Sequence, residues 1–469
     1  MILPRLIIAD EYRPGKISAG VLIAAILKEM GYKLRLFVGN VDETTLRMLQ
    51  VMCSQPVTLL DPVMCDRRES FRWLFQEAAS PDALNLVLAN LGTRWTEDSP
   101  FRVPRECKLL LDWLECEMIP VLYSDTSSVI TVKTIKEIMK QFEAEVSGDL
   151  RVHSLLFRSV LNNREYELLD REVGRQLTAM SVGSIPRMFE RDEPLITDLC
   201  SENAVQSLFT IRSAARQLKA MEDQVNWALF NAFSQAAVEW QKQPKFVSPI
   251  QDAGKVNIAV IRDAALTLGG DGTEHLFRAL GCNVVDIPLE GDVNHAQPIH
   301  GVYIPHGLGY MTIRKFFSNL YIKTLISRGT TGESFMLAEG GSAPLLGDRI
   351  TLPYGNSGGG DGRGFAALPF TSVYNAPTFG SPQKMVALSR KKVNPLLTGS
   401  QEWVWGYGSK SMTIVPHEGE DFCWSLSENL QAKESAADGF AKGRMLATSM
   451  RIEPWSTPAT FKRWLEGDI

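Results

Sequence analysis

Short apolar runs alternate with amphipathic stretches through the first half of the chain. RLIIAD is followed by SAGVLIAAILKEMG, whose apolar residues recur at three and four, then by KLRLFVG, then by a longer helical region ending near ALNLVLANLG. The rhythm continues through EMIPVLYSD, the helix VKTIKEIMKQFEAEV, the strand VHSLLFRSV, a helix rich in Arg and Glu, and LTAMSVGSIPR. Strand, helix, strand in this cadence predicts a doubly wound α/β domain with a parallel sheet of about six strands.

Residues 205–242 again space apolar residues at three and four, and end in the polar, Pro-containing stretch QKQPKFVSPIQDAGK, the best linker in the sequence. A second α/β run then starts at VNIAVIRD and passes through the helix TEHLFRALGC, VVDIPLE, HGVYIPHG, the helix RKFFSNLYIKTLISRG and the strand SFMLAEGG. The reading is two α/β domains, residues 1–245 and 246–469. The stretch from Asp348 to Gly364, with GNSGGGDGRG, is a loop. No internal repeat is visible.

A length of 469 residues suits two domains, each burying its own core. An apolar share of 45%, a charged share of 22% and a net charge of -5 describe a soluble, mildly acidic globular protein, with neither nucleic acid nor membrane called for as partner. MILPRLIIAD is too short an apolar run for a signal-peptide core, so a cytoplasmic location is expected. The seven cysteines are scattered and never form C-x-x-C, and the six histidines are isolated; they predict buried thiols and no metal centre.

DEYRPGKIS follows an apolar strand and precedes an amphipathic helix, the context of a phosphate-binding loop. A working loop reads G-x-x-x-x-G-K-[ST]: glycines let backbone N–H groups close around phosphate, the lysine neutralises charge and the hydroxyl holds magnesium. Here the first glycine is Asp10 and the hydroxyl position is Ile17. Gly15 and Lys16 remain, with Ser18 one residue late. Two readings stay open: a degenerate nucleotide site, or an ordinary strand-to-helix turn with a solvated lysine.

Two turns in the second half carry more information. GVYIPHGLGY (Gly301–Tyr310) and AEGGSAPLLG (Ala338–Gly347) resemble, in order, the glycine-rich oxyanion turn and the nucleophile turn AECGG of the class I glutamine amidotransferase domain in the cobyrinic acid a,c-diamide synthase family. The resemblance extends further. IAVIRDAAL (Ile258–Leu266) matches the strand that opens the family's second domain, DGFAKGRMLATSMRIEPW (Asp438–Trp455) its closing segment, IPRMFERDEPL from Ile185 its LPR segment, and GNVD (Gly39–Asp42) loosely its GPD-type loop. The resemblance implies a P-loop NTPase-like synthetase domain followed by a flavodoxin-like class I glutamine amidotransferase domain.

The departures from the family pattern are systematic. Gly340 stands at the nucleophile's place, and Ser342, the nearest hydroxyl, is two places late. The family's HEFH-like segment falls on Val404–Lys410, its terminal HLH on Arg451, Ile452 and Glu453, and its magnesium-binding Glu on Ala89 or Asn90. Family members activate a tetrapyrrole carboxylate with ATP and displace phosphate with ammonia from glutamine, which needs charge neutralisation and an activated thiol. The resemblance therefore implies a degenerate member with no catalytic residue. Such a chain acts as a tetrapyrrole-binding or partner protein in cobalamin-type cofactor biosynthesis, its partner a tetrapyrrole, an active homologous synthase, another protein or a second copy of itself. The alternative is a diverged amidase of a corrinoid or sirohydrochlorin-type carboxylate, using ammonia or glutamine; only that reading implies ATP and magnesium as cofactors.

Five further residues are candidates for contact. Trp403, Trp405 and Tyr407 alternate, placing them on one face of a strand, either as a stacking surface for a flat macrocycle or partner, or as packing. His306, in the oxyanion-like turn, is a candidate ligand to the metal of a bound tetrapyrrole. Asp125, closing VLYSD, is either a strand-end carboxylate at a nucleotide site or a helix cap.

Overall fold

The computed structural model describes residues 2–93, 99–124, 128–177, 179–221, 223–242, 245–291, 297–352, 362–375, 383–389, 394–399, 402–408, 412–433 and 435–467. The chain divides into two compact units, one of Met1–Val63, Arg67–Leu199 and Asn203–Pro244, the other of Met64–Asp66, Cys200–Glu202 and Lys245–Ile469. Both are α/β, with helices interleaved between parallel strands.

In the first unit the strands are β1 (Arg5–Glu11), β2 (Leu34–Val38), β3 (Val57–Leu59), β4 (Leu84–Gly92), β5 (Met118–Tyr123), β6 (Ser154–Val160) and β7 (Met180–Pro186). They form one seven-stranded sheet in the order β3-β2-β4-β1-β5-β6-β7, every neighbouring pair parallel. Leu6, Ile7, Ile8 and Ala9 of β1 are fully buried, as a central strand covered by helices on both faces requires, and this is why its sequence reads as a continuous apolar run. The strand beyond the expected six is β3. Its three residues lie between the helices Glu43–Cys53 and Arg68–Ala78, inside the stretch that reads as one helical region.

The helix α1 (Ala19–Glu29) returns from β1, capped by Ser18, whose hydroxyl accepts from the amide of Gly20. Such a cap contributes about 1 kcal/mol. Every residue of α1 from Ala19 to Leu27 is buried, so the helix is apolar all round and lies inside the unit. Because β1 pairs with β4 on one side and β5 on the other, the strand order reverses at β1, and its carboxyl end is where an open α/β sheet forms a crevice.

The second unit restarts the pattern with β8 (Asn257–Arg262), β9 (Asn283–Pro288), β10 (Gly301–Ile304) and β11 (Phe335–Glu339). These lie in the order β11-β10-β8-β9, all parallel; Met445–Thr448 adds in parallel beside β11, and Phe440–Lys442 closes the edge antiparallel. The doubly wound reading does not anticipate two further sheets. One has four strands, including Phe370–Tyr374 and Met412–Pro416; the other has five, all antiparallel, including Gln383–Ser389, Trp403–Gly408 and Arg451–Ile452. Their strands run from two to seven residues, too short for a period of two to stand out along the chain.

Among the described residues no helix is long and apolar enough to cross a membrane, and no cluster of His, Cys, Asp and Glu could hold a metal. All seven cysteines are buried.

Candidate functional site

At the carboxyl end of β1, Asp10 turns inward. Its Oδ2 accepts the amide of Ala19, in the first turn of α1, at 2.7 Å and pairs with Nη1 of Arg158 at 2.7 Å. Arg158, on β6, is fully buried. It also grips Glu190 with a two-pronged contact, Nε to Oε1 at 3.1 Å and Nη2 to Oε2 at 2.7 Å, and donates to the carbonyl of Ile17. Its guanidinium lies 4.4 Å from the ring centroid of Tyr123, and that of Arg13 lies 3.5 Å from the same ring. Burial pushes the Asp10 carboxyl up and Arg158 pulls it back, while the two carboxylates hold Arg158 charged against the cost of its burial.

The loop between Asp10 and α1 is held from outside. Ile17 donates to the carbonyl of Arg191 and Glu193 to that of Gly15, so residues 15–17 pair with residues 191–193. Gly15 has φ +72°, the left-handed region that glycine tolerates, and open space around it. Lys16 reaches Asp192 at 2.5 Å in a solvated pair, a kind of contact worth about 0–1 kcal/mol. Ile17, at the hydroxyl position of the loop motif, is wholly buried. Asn90 accepts from Gly92 and exchanges hydrogen bonds with Asn40. Asp125 lies outside the described residues.

In the second unit the two turns predicted from sequence sit side by side at the carboxyl ends of β10 and β11. Gly340 has φ +56°, and a β-carbon built on it would lie 1.8 Å from Nδ1 of His306. The buried imidazole of His306 fills the place a side chain at 340 would take. Nδ1 also accepts the amide of Gly341 at 3.2 Å, so the neutral ring carries its proton on Nε2. The other polar groups of the turn are likewise engaged: Tyr374 donates its hydroxyl to the carbonyl of Gly341, and the buried Ser342 donates to the carbonyl of Pro305.

Beneath the turn, Glu339 is completely buried, accepting the hydroxyl of Tyr303 and the amide of Ile452. Burial raises both groups, and the adjacent carboxylate raises Tyr303 further. Arg451 is also buried, its guanidinium 4.1 Å from the ring centroid of Tyr407.

Trp403, Trp405 and Tyr407 share one face of their strand, while Val404 and Gly406 point to the buried side. The two indoles are half-buried and meet edge to face, centroids 6.3 Å apart, whereas Tyr407 is buried under Arg451. The structure thus brings His306 and Gly340 together, and separately Gly15, Lys16 and Ser18 around the head of α1.

Sequence reasoning missed Arg158 and Glu190. The available signal was a lone arginine inside the apolar strand VHSLLFRSV, which must find a carboxylate if buried. It also missed that His306 and Gly340 are complementary, although a bulky residue in one turn and an absent side chain in the other are each visible.

No family model and no curated protein matches this chain. Among solved structures, PurLQS from Thermotoga maritima is similar at 10% identity over 45% of this chain and 97% of its own, with a TM-score of 0.30. A glutamine amidotransferase from Thermotoga maritima is similar at 13% identity over 45% of this chain and 81% of its own, with a TM-score of 0.28. The MinC:MinD cell division protein complex from Aquifex aeolicus is similar at 14% identity over 46% and 96%, with a TM-score of 0.27. At these scores the functional reading rests on the geometry of the sites themselves.

Proposed function

We propose that this chain is a non-catalytic protein of the cobyrinic acid a,c-diamide synthase type, a synthetase-like unit followed by an amidotransferase-like unit, that works by binding a tetrapyrrole or a protein partner in cofactor biosynthesis. The observation that carries this is the imidazole of His306 in the space of a side chain at 340, accepting the Gly341 amide. An amide transfer from glutamine needs a nucleophile at that turn and a free backbone donor for the developing oxyanion. Here the first is absent and the second is engaged by the chain itself.

The retained architecture fits a binding role, because the turns are kept as packed, hydrogen-bonded structure rather than lost. Purification from the native host, an absorbance scan for a bound tetrapyrrole and identification of co-purifying proteins test the proposal. Glutamate release by highly purified protein, or magnesium-dependent ATP binding lost in Lys16→Ala, would move the diverged amidase ahead of it.

A further inference from the structure

The head of a helix is a natural anion site, because its first amides are unpaired and the helix dipole favours negative charge. At the head of α1 that place is taken from within. One oxygen of Asp10 lies 2.7 Å from the Ala19 amide and 2.7 Å from Arg158 Nη1, so it meets a backbone donor and a cation together, as an oxygen of a bound oxyanion would. The side chains of Arg158 and Asp10 are 1% and 7% exposed, leaving no path for a dissolved anion to these donors while Asp10 is in place.

We infer that Asp10 is an internal ligand: a tethered carboxylate that occupies the anion position of α1, closes it to phosphate-bearing molecules, and ties β1 to β6 through Arg158. Glu190 completes the arrangement by orienting the guanidinium with two hydrogen bonds. The inference stands apart from the proposed binding function, since a chain of any function would keep this contact.

Removing the carboxylate should turn the position into a site for a small free one. In Asp10→Ala the Ala19 amide and Arg158 Nη1 lose their shared acceptor and a carboxylate-sized space opens between them. Thermal unfolding of the full chain is followed in sodium formate and in sodium chloride at equal ionic strength. The variant unfolds below the native protein in chloride, and formate raises its midpoint saturably by about 3–8 °C while leaving the native protein unmoved. If the variant does not survive purification, refolding from urea in the same two salts replaces the melt, with a several-fold higher yield in formate. Asp10→Asn, which fills the space but offers Arg158 no charge, is destabilised and gains nothing from formate. Equal behaviour of Asp10→Ala in the two salts, or an equal gain by the native protein, overturns the inference; so does an Asp10→Asn protein as stable as the native one.

Discussion

Nδ1 of His306 lies 1.8 Å from the point that a β-carbon on residue 340 would occupy, so the ring of one residue fills the absent side chain of the other. Placing a thiol at that turn by Gly340→Cys therefore does not create a nucleophile. The substitution forces His306 aside and places a side chain at φ +56°, costing about 2–4 kcal/mol in urea unfolding. Glutamate release stays at background. Adding His306→Ala relieves the clash, and a double-mutant cycle reads a coupling of about 1 kcal/mol or more between the two positions.

Arg158→Met leaves the buried Asp10, and the partly buried Glu190, without their cation. Breaking a buried pair from one side costs about 3–5 kcal/mol. In the variant the Asp10 carboxyl, deprived of Arg158, is pushed up further by burial. Its ionisation then opposes folding as pH rises through the raised value, so the deficit against the native protein is smaller at about pH 5 than at about pH 8. A deficit independent of pH would mean that packing, not charge, is what Arg158 supplies.

Glu193 titrates in the neutral range: burial, with Asp42 nearby, raises its carboxyl from 4.5 to about 7. A carboxyl raised in the folded state favours folding while protonated. Its contribution is fully present below pH 4.5 and is lost as pH rises through about 7. Glu193→Gln removes this dependence, so the variant gains on the native protein steadily across that interval and is the more stable of the two above it. Urea unfolding at a series of pH values measures the difference directly.

On the proposed binding function, Trp403→Ala with Trp405→Ala abolishes association with a tetrapyrrole or protein partner while far-ultraviolet circular dichroism stays unchanged. Both indoles are half-buried on one face of their strand, and the core side is held by Val404 and Gly406. An unfolded double variant would make the indoles core residues; a folded one that keeps every partner would put the binding surface elsewhere.

The parallel sheets were legible because a strand buried on both faces reads as a near-continuous apolar run, as in the LIIA of RLIIAD, the MIPVLY of EMIPVLYSD and the IAVI of VNIAVIRD. The three residues of β3 were not, since VTL between two helices is too short to establish a period. The turn at Gly340 could be located by its glycines and its strand, but not its occupant. That His306 would lie against it depends on β10 and β11 being neighbours in the sheet, a pairing across 34 residues that no local pattern encodes. The same holds for Asp10 and Arg158, 148 residues apart in sequence and joined through the order of β1, β5 and β6. Local chemistry is written in the sequence; the company each residue keeps is written in the topology.

The pairing of His306 with Gly340 also limits which neighbouring sequences the protein can reach. Any side chain introduced at 340 alone runs into an imidazole, and an apolar residue introduced at 306 alone strands the buried amide of Gly341. Both of these single steps lead downhill in stability, so a lineage carrying this pair is held to it, and a side chain at 340 becomes accessible once residue 306 is a smaller one that still accepts the Gly341 amide.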